Sequence, residues 1–158
     1  MLDSYSLVKL VHIISASMLL GTGIGTAFFM LRAHLSGNPE AMAVTTKNVV
    51  LADWIFTTPA IVVQAITGLW LTFKLAIPLG SVWFITVVSL FVLIGICWIP
   101  VVWIQVRIRN IIANGGRRSD YQKLMKTWVS LGVPAFISIL ILYFLMVTMV
   151  GAGTIIFI

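Results

Sequence analysis

Charged side chains make up only 9% of this 158-residue chain, ten Lys or Arg against four Asp or Glu. Soluble domains carry about a quarter, so a water-exposed globule is excluded. Cysteine occurs once, at Cys97. A single thiol excludes an intramolecular disulfide, a cysteine-built zinc site and C-x-x-C-H attachment of haem; it reads as a small buried apolar residue. No soluble segment interleaves basic residues with aromatics, so the basic excess does not describe a nucleic-acid-binding surface. The start, MLDSYS, has no basic n-region and the apolar run after it is too long for an h-region, so no cleavable signal is expected.

Long apolar runs are what the chain has. Hydrophobic residues reach 61%, in continuous stretches rather than the short alternating segments of a membrane β-barrel. The first stretch, Tyr5 to Leu31, exceeds the roughly 20 residues that cross a bilayer as a helix. Three more follow, giving spans over about 5–32, 45–77, 81–109 and 124–150. The expected fold is all-α: one integral membrane domain, 1–158, built as a four-helix bundle. Gly37-Asn38-Pro39, Pro78-Leu79-Gly80 and Asn114 to Ser119 supply the turns. Pro100 is expected to bend the third span. The last residues, GAGTIIFI, either extend the fourth helix or fold along the surface.

The basic residues cluster by loop. Arg32 and Lys47 flank the first connection; Arg107, Arg109, Arg117, Arg118, Lys123 and Lys126 flank the third; the other side offers Lys9 and Lys74. The positive-inside rule puts both termini on the outer, periplasmic side of a plasma membrane.

His12 is the one histidine that falls inside a span. Ionisable groups there are costly and face the bundle interior or a ligand. Three readings are open: ligation of haem iron, proton relay, or a hydrogen bond to a neighbouring helix. His34 lies 22 residues along the same helix, about 33 Å away by helix rise, so the two cannot share one haem within one chain. A bis-histidine haem would need a second protomer; otherwise the sixth ligand is absent, or is a methionine or another group at similar depth, and Met146 and Met149, at plausible depth, also read as packing residues. His34 itself reads as a solvated interfacial residue.

Other positions carry paired readings. Lys9, one turn before His12, and Lys74, at the outer end of the second span, could meet haem propionates or simply snorkel to the interface. Gly21, Gly23 and Gly25, and Gly68 further on, suit close helix packing or a flat macrocycle laid against backbone. Tyr143 falls near the depth of His12 and could donate a hydrogen bond there. Asp53 is expected to pair with Arg32, Arg107 or Arg109 at the same level; a proton path is the sharper alternative. Gln64 and Gln105 are expected to bond across the bundle, and Trp54, Trp70, Trp83 and Trp128 to form interfacial belts.

Four segments together carry a resemblance: VKLVHIISASMLLGTGIGTAFFMLRAH, DWIFTTPAIVVQAITGLWL, WIPVVWIQVRIRNI and WVSLGVPAFISILILYFLMV. They resemble the bacterial predicted membrane proteins of domain-of-unknown-function family 2269, over all four spans. The first span is also similar, more distantly, to that of HemJ-type protoporphyrinogen oxidases and CopD-like copper-resistance proteins. HemJ-type proteins bind haem b through a first-span histidine, and His12 stands at that position with Lys9 beside it. What the resemblance implies is a haem b protein of the bacterial inner membrane, with His12 as the metal ligand. It would act in electron transfer or as an oxidoreductase component, with quinone, a porphyrinogen or a redox protein as partner. The alternative is a non-catalytic accessory subunit of a larger, respiratory-type membrane complex, or a homo-oligomer. A transporter is the poorest reading, since there is no pair of broken helices.

Overall fold

A computed structural model describes residues 3–155, with side-chain surroundings through Thr148. Every regular element among the described residues is helical, and four continuous helices are long and apolar enough to cross a membrane. They are α1 (Ser4–Ser36), a composite of α2 (Pro39–Ala52) and α3 (Thr58–Lys74), α4 (Val82–Ala113) and α5 (Arg118–Ile155). Ile156, Phe157 and Ile158, and the side chain of Met149, lie outside the described residues.

Short polar residues set the helix ends. Asp3 caps α1 by accepting from the Ser6 N–H at 3.0 Å, and the Ser6 hydroxyl together with that N–H holds its exposed carboxyl below the usual carboxylate range. At the other end Gly37 adopts φ +70° and its N–H returns to the His34 carbonyl at 3.3 Å, a left-handed stop that costs little without a Cβ. Asn38 then caps α2, accepting from Glu40 N at 2.9 Å and Ala41 N at 3.3 Å, with Pro39 at the first helical position where no N–H is needed. Ser81 caps α4 through the Phe84 N–H at 3.2 Å. The α4–α5 hairpin is tight: Gly116 donates to the Ile111 carbonyl at 2.9 Å, and a Cβ there would fall 2.6 Å from that oxygen.

Between α2 and α3 the chain makes one π-helical turn, Asp53–Thr57. The Asp53 carbonyl accepts from the Thr58 N–H, five residues on, and from the Thr58 hydroxyl at 2.9 Å. Pro59 follows. Proline lacks a donor and crowds the carbonyl four residues back, and a wider turn just before it relieves both constraints. Pro100 sits within an uninterrupted α4 and Pro134 within α5, where the Ser138 hydroxyl donates to the Pro134 carbonyl at 2.8 Å.

Packing is uneven along the bundle axis. At the end bearing the basic loops, Met30, Met42, Ile108 and Met125 are fully buried together, with Tyr121 and Trp128 closing the cluster. Trp128 thus belongs to the core, not to an interfacial belt: Tyr121, Met125 and Trp128 recur on one face of α5. Toward the termini the molecule divides into two leaves. α1 packs along α3 and α4 packs along α5, while α2 bridges α1 to α4. Trp83 ties the second leaf at its far end, donating to the Leu145 carbonyl at 3.2 Å. The bare apolar faces of α1 and α3–α5 are the surfaces that lipid covers.

Gly37→Ala forces a Cβ into the left-handed region and to within 3.1 Å of the Arg118 guanidinium. We expect a loss of about 1 kcal/mol, read as a lower unfolding midpoint in detergent.

Candidate functional site

His12 lies at the α1–α3 seam, half-buried, with both ring nitrogens engaged. Nδ1 is 2.8 Å from Thr67 Oγ1 and Nε2 is 2.9 Å from Gln64 Nε2. The spacings explain the match: His12 and Ser15 share one face of α1, and Gln64, Thr67 and Gly68 share one face of α3. The Thr67 hydroxyl spends its proton on the Val63 carbonyl at 2.6 Å, so it accepts from His12 Nδ1–H. Gln64 Nε2 donates to His12 Nε2, and Gln64 Oε1 accepts from the Ser15 hydroxyl at 2.6 Å. That network assigns the neutral Nδ1–H tautomer; a doubly protonated ring would set two donors against each other at Gln64. Gly68 completes the site by its size, since a Cβ there would meet His12 Cε1 at 3.2 Å.

Haem ligation by His12 needs a free Nε2 lone pair. Thr67 on Nδ1 is the kind of partner that orients a metal-bound histidine, but Nε2 is already committed to Gln64. Haem ligation there would require the Gln64 amide to turn away from the ring.

The other sequence-derived positions are scattered. Lys9 Nζ rests over the Tyr5 ring, 5.6 Å from its centroid. Lys74 ends α3 and borders an open groove with Trp70 and Phe73. Gly23, with Gly21 and Gly25, has nothing within 4 Å of an added Cβ. Tyr143 Oη is buried without a hydrogen-bond partner, so it does not join the His12 network. Met146 is partly buried. Of the expected set, His12 and Gly68 are brought together, while Ser15 and Thr67 enter unannounced. The matched spacing of 12/15 with 64/67 does not single them out by itself, since other hydroxyls on these helices bond only their own backbone.

A second polar spot sits deeper toward the basic loops. Asp53, in the π-turn, is 5% exposed and accepts from the Thr57 hydroxyl at 2.8 Å. Its other oxygen has no partner; neither does Oε1 of Gln105, the buried α4 residue beside it. The expected ion pair with Arg32, Arg107 or Arg109 does not form. Asp53 faces the bundle interior, whereas Arg32 is exposed, Arg107 lies over Trp103 at 5.2 Å, and Arg109 bonds Asn110 at 3.1 Å. Sharing a level did not mean sharing a face. His34 is not fully solvated either: its ring stacks edge-on to Tyr121 at 5.8 Å and its Nδ1 is buried without a partner.

Two outcomes follow for stability in mixed micelles. His12→Ala and Gln64→Leu should be non-additive, with a coupling of about 0.6–1.7 kcal/mol as for interhelical bonds in membranes; additivity would mean the bond contributes nothing. Asp53→Asn should change stability by less than about 1 kcal/mol, against the roughly 3–5 kcal/mol lost when a buried ion pair is broken.

No curated protein and no solved structure matches this sequence. The profile of one family of predicted integral membrane proteins does match, over residues 6–149 and so through all four spanning helices. The chain is a member of that family, DUF2269.

Proposed function

We propose that the protein is a non-catalytic helical subunit of a larger assembly in the bacterial inner membrane, with both termini on the outer side. The observation that carries this reading is the His12 clasp: the one histidine placed for chemistry within the bilayer has both nitrogens spent on joining α1 to α3. Gly21 and Gly25, a small-x-x-x-small pair, look onto open space on α1, and such pairs let a second transmembrane helix approach closely. The partner is then another membrane-embedded chain, in a respiratory-type complex or a second copy.

A haem b reading, with His12 as ligand and electron transfer to quinone or a redox protein as the activity, is favoured by Thr67 on Nδ1. It requires Gln64 to turn away from the ring. The protein's own part would be orientation of His12 by Thr67 and close approach at Gly68, with the cofactor supplying the redox chemistry.

Absorption spectra of the purified protein, oxidised and dithionite-reduced, separate the two. The subunit reading expects no Soret band after expression with added haem precursor. A Soret band with b-type features that disappears in His12→Ala would overturn it. Native gels of solubilised membranes should show the chain in a species larger than its own bundle, dispersed by Gly21→Leu with Gly25→Leu. For topology, a cysteine at Ser119 in a Cys97→Ala background should be shielded from an impermeant thiol reagent in intact cells, and one at Gly80 labelled.

A further inference from the structure

Between α1 and α5, at the basic end of the bundle, a groove of about 340 Å³ runs from the loop level into the membrane. Its walls change character with depth. Near the mouth stand His34 of α1 and Gln122 of α5; Leu31 and Lys126 follow at middle depth, and Val129, Ser130 and Val133 lie further in. Helix rise fixes the order: from the start of α5 at Arg118, Lys126 lies about 12 Å in and Val133 about 22 Å in. A ligand for this groove has a polar head and an apolar tail lying parallel to the helices.

The head is anionic by complementarity. Lys126 is exposed on the groove wall. His34 lines the groove with its ring edge-on to Tyr121. Arg118 adds positive charge close by, outside the groove lining, its guanidinium against the Gly37 turn three residues beyond His34. No carboxylate lines the groove among the described residues. The nearby Asp120 is engaged by the Arg117 N–H at 2.7 Å and the Ser119 hydroxyl at 3.1 Å.

The geometry points to a bound anionic phospholipid: its phosphate at Lys126, with Gln122 as an added donor and His34 beside it, and one acyl chain along Val129 and Val133. A zwitterionic lipid offers the same phosphate but brings an ammonium group next to Lys126 and Arg118. The site therefore selects for net negative headgroups, of the kind that basic membrane-proximal side chains attract. This inference is independent of the subunit reading above.

Native mass spectrometry of the full-length protein tests it, with phosphatidylglycerol and phosphatidylcholine of identical acyl chains offered together in neutral detergent. The wild type should retain phosphatidylglycerol about tenfold in excess, the effect expected of one or two basic groups at the headgroup. Lys126→Ala should bring the two lipids near parity. Val133→Trp, which fills the tail track, should remove both. Inorganic phosphate should not displace the lipid. Equal retention of the two lipids by the wild type would overturn the proposal, as would a preference unchanged in both variants. Displacement by phosphate would reassign the groove to a free anion. Lys126 is exposed, so its substitution leaves the core intact; Val133→Trp tests the tail track should Lys126→Ala fail to fold.

Discussion

Inside a bilayer core there is no water to complete a hydrogen bond, so a buried polar group without a partner in the protein is costly. The His12 seam satisfies that constraint. An imidazole, an amide and two hydroxyls from two helices form one connected chain of donors and acceptors. Apolar packing alone offers little direction in lipid, because lipid tails are as apolar as leucine. The polar seam fixes which face of α3 meets α1, and the rotation of the whole first leaf follows from it.

The two ends of the molecule solve the packing problem differently. At the basic end, flexible methionines and aromatic rings from α1, α2, α4 and α5 fill one continuous core. At the end carrying the termini, burial is confined to seams between paired helices, and the side chains there are small or polar, such as Ser15, Thr72, Cys97 and Ser138. Asp53 lies where these regimes meet, next to Gln105 on the bridging side of the bundle.

The spans were legible in the sequence because a continuous apolar run of bilayer length admits few other structures, and the Gly-Asn-Pro turn was legible because it carries both a stop and a cap. The π-turn was not, since Pro59 also reads as an ordinary first-turn proline. Gln64 as a cross-bundle donor could be foreseen from its cost in lipid. Ser15 and Thr67 could not, because hydroxyls in membrane helices often bond their own backbone, as Ser17, Thr26 and Thr148 do here. Asp53 and the arginines were misassigned because depth is readable from residue count while facing depends on helix rotation, which a π-turn alters. For His12, the sequence located the residue but not the partners that occupy its nitrogens.

The π-turn also divides one spanning helix between two allegiances. α2 is held in the core shared with α1 and α4, whereas α3 belongs to the leaf it forms with α1. A wide turn is softer than the α-helix on either side of it, and this one lies at the boundary of the two packing regimes. The leaves therefore behave as two arms joined at one end. Their separation at the far end depends on what fills the space between them, since few contacts within the chain join the two leaves there.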